Sequence, residues 1–265
     1  MRTAVVALAA AALALGACRS VPPDAGVVVA PDAPRVASAL AALRDRSTRV
    51  HALRASGRLV VSSPDVSLDR PQRLVVERPD RLRFKILGLF DQVAALLVSD
   101  GREYAFVDLP GGRRERGPVD DGVLWRTTGI DLSPPELVAL LLGTAPIDAA
   151  AFVVQARLYV DGHVQLHLRT PGATRVDVLE IEGDGALRML QRGHVAGATM
   201  WEAHFADLRP VGLGDAPAAQ PLRFAHRVEV AFPRIDASVG VEFGQVELNP
   251  ALPEGVFVLH VAPGG

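Results

Sequence analysis

From Ser56 onward the apolar residues of this chain recur at every second position, and Gly, Pro and Asp cut them into short runs. A period of two sends successive side chains to opposite faces of an extended backbone, so it specifies strands with one buried face. The runs are GRLVVSS, PQRLVVERPDRLRFKIL, QVAALLVSDGREYAFVDL, VQLHLRT, TRVDVLEIEGDGALRMLQRG, ATMWEAHFADL, LRFAHRVEVAF, SVGVEFGQVEL and GVFVLHV. Asp-Gly, the strongest short hairpin signal, stands at 100–101, 121–122, 161–162 and 184–185. Folding the chain at Asp100-Gly101 pairs Leu97 with Tyr104 and Ala95 with Phe106, so apolar meets apolar on one face. Consecutive hairpins of this kind make an antiparallel meander and not βαβ crossovers, so the fold class is mainly β.

Two stretches carry a helical period instead. In APRVASALAALRDRSTRVHALRASG, Val36, Leu40, Leu43, Val50 and Leu53 fall near helical spacing, and Pro34 suits a helix start. One helix is predicted over about 34–50. The second stretch is GIDLSPPELVALLLGTAP, residues 129–146. Ser133 fits an N-cap, Pro134 the first helical position and Gly143 the residue after the last turn. Leu137, Val138, Leu140, Leu141 and Leu142 make this short helix apolar nearly all round. Such a helix needs covering on several sides, or it covers something itself.

The only cysteine is Cys18, so it makes no intramolecular disulfide. It follows Met1-Arg2-Thr3 and an apolar run from Ala4 to Ala17, too short for the roughly 20 residues that cross a bilayer. A basic start, a short apolar stretch and Gly16-Ala17 read as a secretory leader over 1–17. Residues 19–34, RSVPPDAGVVVAPDAP, are Pro-rich and aperiodic, and 18–34 is expected to be a tether ahead of one folded domain over 35–265. The net charge is −2, and −3 once Arg2 leaves with the leader, so no basic field invites nucleic acid. Aromatic residues make up 5% of the chain, so any large apolar surface must be aliphatic.

Candidate chemistry is thin. There is no Gly-x-Ser-x-Gly elbow and no His-Glu-x-x-His, and Lys85, the only lysine, lies outside any Gly-rich loop. His163 and His167 sit in a strand pattern, where four residues span roughly 13 Å, too far for one metal ion. Asp120-Asp121 reads as a solvated turn. Glu180, Glu182 and Asp184 beside Arg188 and Arg192 read as a charged outer face. Neither an enzyme, a cofactor nor a metal site is expected.

The order of motifs resembles that of the LolA/LolB group of bacterial lipoprotein-trafficking proteins. ASGRLVV at 55–61 is similar to the group's first strand after the N-terminal helix. RPDRLRFKILGLFDQVAALLVSDGREYAF resembles the segment with its Leu-Gly turn and Asp-Gly hairpin. TTGIDLSPPELVALLLGTAP is similar to its lid, and VELNPALPEGVFVLHVAPGG to its C-terminal segment. The resemblance implies an open antiparallel half-barrel with an N-terminal helix and a short helical lid over an apolar cavity that holds acyl chains. Leu137, Leu140 and Leu141 would line it from the lid, and Leu97, Tyr104 and Phe106 from the sheet. Leu15-Gly16-Ala17-Cys18 resembles a lipobox, which makes Cys18 the lipidated residue and favours LolB, an outer-membrane lipoprotein that accepts cargo from a periplasmic LolA-like carrier. Arg19, in place of an Asp retention signal, favours the outer membrane. The turn with Leu87, Leu89 and Phe90 falls where LolB projects an apolar residue into the membrane; the alternative is that these side chains tuck under the barrel. On the same fold, an envelope sensor, a glycolipid-binding lipoprotein and a structural lipoprotein with a filled cavity remain open.

Overall fold

The computed structural model describes residues 26–64, 66–216 and 219–258. Cys18, the leader and the first part of the expected tether, up to residue 25, lie outside them. Fourteen strands form one antiparallel sheet: β1 (Val27–Val29), β2 (Ala52–Ser62), β3 (Ser67–Glu77), β4 (Arg81–Leu87), β5 (Val93–Ser99), β6 (Glu103–Asp108), β7 (Arg113–Pro118), β8 (Phe152–Leu158), β9 (Val164–Arg169), β10 (Arg175–Ile181), β11 (Leu187–His194), β12 (Thr199–Val211), β13 (Leu222–Phe232) and β14 (Ala237–Leu248). Their spatial order is β1-β8-β9-β10-β11-β12-β13-β14-β2-β3-β4-β5-β6-β7, with β1 and β7 at the two edges. Three helices accompany them: α1 (Pro34–Arg49), α2 (Val123–Thr128) and α3 (Pro134–Leu141).

This order explains where the helices go. Most strands follow their neighbour by a hairpin, and only β8–β1 and β14–β2 join distant segments. The chain leaves β7 at one edge and must reach β8 near the other. The connection over 119–151 therefore runs across the sheet, and it carries α2 and α3. In the same way α1 lies on the connection from edge strand β1 to central strand β2. The inner face that these helices cover carries the alternating apolar residues, such as Leu53, Leu74, Leu82, Leu166, Leu179 and Leu190, all almost fully buried.

Helix α1 matches its expected span. Val36, Ala39, Leu43 and Arg46 form the buried stripe, and the helix ends where Val50 turns extended. Arg46 is buried, and its Nε donates to the Gly143 carbonyl at 3.3 Å. Helix α3 is capped as its sequence suggests. The Glu136 carboxylate accepts from both the backbone N–H and the hydroxyl of Ser133, at 2.8 Å each. Gly143 sits at φ 62°, the left-handed conformation that glycine adopts without a Cβ penalty.

Several sequence expectations need correction. The hairpin at Asp100-Gly101 is offset by two: Leu97 faces Phe106 and Ser99 faces Tyr104. The Asp100 carboxylate accepts from the N–H groups of Arg102 and Glu103, which lengthens the turn. An even offset leaves every side chain on its expected face. Asp121-Gly122 opens helix α2 and makes no hairpin. Strands β7 and β8 escaped the alternation, the first because Arg113–Pro118 has four charged residues, a Gly and a Pro, and no apolar position to alternate. Val27–Val29, expected in the tether, pairs with β8 as an edge strand. The described part of GVFVLHV, up to Val258, is turn and coil. The stretch from Ala251 to Phe257 crosses the outer face, where Arg54 donates to the Ala251 carbonyl, Arg83 donates to the Val256 carbonyl, and Arg81 lies over the Phe257 ring.

Candidate functional site: a lidded apolar cavity and a projecting tip

Between the lid helices and the half of the sheet formed by β13, β14 and β2–β6 lies a cavity of about 490 Å³. Its floor is Leu59, Val61, Leu82, Phe84, Ile86, Leu97 and Phe106 from the strands, and its far wall is Phe232, Val239 and Val241. The roof is Leu124, Trp125, Ile130, Leu137 and Leu141. Among the described residues, the polar side chains lining it are Ser63, Thr127 and Thr128, and no charged side chain lines it. The Thr127 and Thr128 hydroxyls donate to carbonyls one turn back, at Val123 and Leu124. Their hydrogen-bonding capacity is thus largely used within α2. The volume is that of a small-molecule site, and the wall offers an occupant hydrophobic contact and little else.

Of the residues singled out in the sequence, Leu137, Leu141, Leu97 and Phe106 line this cavity. Leu140 does not. It borders a small void of about 20 Å³ against Val228, Val230 and Phe232, which Leu137 and Leu141 also line, and it is part of the packed core. Tyr104 is buried beside the cavity without lining it. Sequence reasoning missed α2 altogether, because six residues are too few to display a helical period. The rim residues Val66, Trp125 and Ile235 were missed as well; they lie half-exposed at the mouth.

The lid is held at both ends by arginines. At its start, Arg192 of β11 is 2% exposed. Its Nε donates to Asp177 at 2.7 Å, its Nη2 to the Pro146 carbonyl at 2.9 Å and its Nη1 to Glu136. Its guanidinium also lies 5.1 Å from the Trp201 ring centroid. Burial would lower the Arg192 pKa, but the hydrogen bonds and charges of Asp177 and Glu136 outweigh it and raise it. This corrects the reading of Arg192 as part of a charged outer face; Arg188 does sit outside, paired with Asp161 and Glu182. At the far end of α3, Arg46 reaches the Gly143 carbonyl, and Arg78 donates to Thr144 and to the Val50 carbonyl. Positive charge there complements the helix C-terminus.

The turn after β4 leaves the body of the protein. Leu89 is 78% and Phe90 98% exposed. Phe90 and Asp91 hold φ of 62° and 61°, unusual for side chains with a Cβ and most unusual for a bulky aromatic. The turn is closed by the Gly88 N–H donating to the Gln92 carbonyl at 2.8 Å. Leu87 behaves differently: it pairs with Val93 after a bulge and is 4% exposed. Leu89 and Phe90 alone project. His163 and His167, set aside as metal ligands, stand apart: His163 stacks on Tyr159, and no cluster of three metal-ligating side chains occurs among the described residues.

An open antiparallel half-barrel, crossed by lid helices over an apolar cavity, is the class this geometry defines. The chain is similar to a LolA superfamily protein from Nitrosomonas europaea, with a TM-score of 0.55 at 9% identity over 83% of this chain and 97% of that one. It is similar to a domain from Vibrio parahaemolyticus named for outer membrane lipoprotein sorting, at 0.54 and 13% over 83% and 95%. A DUF1329 family protein from Desulfovibrio piger gives 0.55 and 13% over 84% and 97%. No family model and no curated protein matches the sequence. At these identities the fold is what is shared. No helix among the described residues is long and apolar enough to cross a membrane.

Proposed function

We propose that this chain is a LolB-like, lipid-anchored protein of the outer membrane that takes acyl chains of lipoproteins into its cavity and helps insert them in the bilayer. The observation that carries this reading is the cavity: about 490 Å³, lined by no charged side chain among the described residues, and roofed by two short helices. An acyl chain has no polar group along its length, so such a wall suits it. Each methylene brought out of water gains about 0.8 kcal/mol. The fold is one that the lipoprotein-sorting domain from Vibrio shares. Cys18 in its lipobox is the proposed anchor, and residues from 18 to about 26 the tether. A periplasmic LolA-like carrier is the proposed donor. Transfer would run on differential affinity, with no covalent step.

The exposed tip supplies the delivery half. Leu89 and Phe90 gain by entering a bilayer interface and gain nothing where they stand. The test uses a fluorescent fatty-acid probe and vesicles. The unmodified chain should bind the probe saturably, with a change in Trp125 emission at the cavity mouth, and release it to vesicles. The Leu89→Glu, Phe90→Glu chain should keep its melting temperature and its uptake of probe, yet lose delivery. No saturable uptake by the unmodified chain would sink the cavity reading, and normal delivery by the double variant would sink the role of the tip.

A further inference from the structure

The outer face of the sheet carries a second depression, on the opposite side from the cavity. It has a volume of about 430 Å³ and lies over β14, β2, β3 and β4. Arg54, Arg73, Arg83 and Lys85 line it, against the single carboxylate of Glu247. Register explains the cluster. Arg73 is directly opposite Lys85 and Val75 opposite Arg83, so three cations stand on adjacent positions of one face. Arg54 is paired with Glu247 at 2.9 Å, which accounts for that carboxylate. Arg83 donates to the Val256 carbonyl at 3.1 Å, a contact that leaves its charge uncompensated. Among the described residues Lys85 has no ion-pair partner. Burial, and then the charges of Arg83 and Arg73, push its ammonium below the ordinary lysine value. Such crowding is unfavourable, and an anion seated in the groove would relieve it.

The groove also runs into the projecting tip. Arg73 reaches Asp91 at 3.5 Å, within the turn that bears Leu89 and Phe90. Leu89 lies four residues beyond Lys85, in the turn that follows β4. On the other flank of the turn, Arg70 lines a shallow hollow shared with Gly88–Asp91. We infer that Arg73, Arg83 and Lys85 form a docking face for the headgroup phosphates of an anionic phospholipid surface, engaged when Leu89 and Phe90 enter the bilayer. Charge complementarity selects the occupant class, and continuity with an apolar tip selects a membrane over an acidic peptide, which would leave Leu89 and Phe90 unexplained. Cations beside an inserted apolar tip make a two-part interfacial contact, in which the charges add selectivity for anionic lipid.

This inference rests on the membrane-facing reading of the tip. It is tested with the full chain by hydrogen–deuterium exchange of the segment over 86–92, mixed with vesicles of phosphatidylcholine alone or with added phosphatidylglycerol. Slower exchange is expected with phosphatidylcholine and markedly slower exchange with phosphatidylglycerol. The Arg73→Gln, Lys85→Gln chain should keep the first effect and lose the excess, a drop of roughly thirtyfold in the docking equilibrium. Salt provides a check that needs no variant. The excess should vanish near 1 M salt, where charges are screened beyond about 3 Å. Equal protection in both lipids, an excess that survives the double substitution, or one indifferent to salt would each overturn the docking face. Absence of protection in every vesicle would overturn the tip reading too, whereas saturable uptake of the fatty-acid probe, measured in parallel, would leave the cavity standing.

Discussion

At Arg192 a guanidinium is held almost out of water between Asp177, Glu136 and the face of Trp201. Desolvating such a group is costly, and the cost is met only while every partner is present. Arg192→Met would leave the buried Asp177 carboxylate with just the distant Arg175, at 3.8 Å, for compensation. It would also free Glu136, the residue that caps α3. We expect a loss of about 3–5 kcal/mol, the range for breaking a buried pair from one side. Replacing Asp177 by Leu in the same chain should recover part of it. Thermal unfolding of the two variants measures both effects; a single variant that melts like the unmodified chain would mean that the pair contributes no net stability.

Among the elements, α3 does two jobs on two sides. Leu137 and Leu141 line the large cavity, whereas Leu140 lines only the small void beside β13. Truncating Leu140 enlarges a small void inside the core, so Leu140→Ala should cost about 2–5 kcal/mol and leave affinity for an acyl probe nearly unchanged. Leu137 borders space that is already empty, so Leu137→Ala removes fewer contacts and should cost less stability than Leu140→Ala while weakening the probe more. Paired melting and probe titrations decide it; the reverse ranking would make α3 an ordinary core helix. The edge strands are managed at the same scale. β7 carries Arg113, Arg114, Glu115 and Arg116, and β1, although all valine, is only three residues long, so neither offers a long apolar template for further pairing.

For the molecule as a whole, the titrating groups make stability fall on the acid side in two stages. Burial, with the charge of Arg157 behind it, holds the His167 pKa below its ordinary value. The unfolded chain then binds a proton there that the folded chain refuses, so stability declines as pH falls below about 6.5. Asp161, hydrogen-bonded by Arg188 and then by His163, has its pKa lowered to about 2. Its contribution is complete above the ordinary Asp value near 3.9 and is lost as pH drops toward 2. Asp100, Asp120 and Asp207 are shifted in the same direction, by backbone N–H groups in the first and by arginines in the other two. A melting temperature that is level from pH 7 to 8, slips near pH 6 and declines further below pH 4 is expected, the second step being small because these carboxylates are exposed and screened. A maximum near pH 5 would contradict the His167 assignment.

What the sequence determined by itself was local and periodic. Alternation named most of the strands, Ser133, Pro134 and Gly143 marked the lid helix, and Gly88 marked the tip turn, because each depends on backbone preference or on one buried face. It also placed Leu97 and Phe106 on the inner face, since an offset of two residues cannot change which face a side chain takes. Everything that depended on distant segments was decided by the tertiary structure. Alternation says which residues face inward, but it does not say which strand lies beside which. Only the β14–β2 and β1–β8 joins force the 119–151 connection across the sheet and so make α2 and α3 a lid. The same joins place Leu140 on core and Leu137 on cavity, one turn of helix apart. They bring Arg192 under Glu136, 56 positions earlier, where a charge that reads as outward on its own strand becomes the buried anchor of the lid.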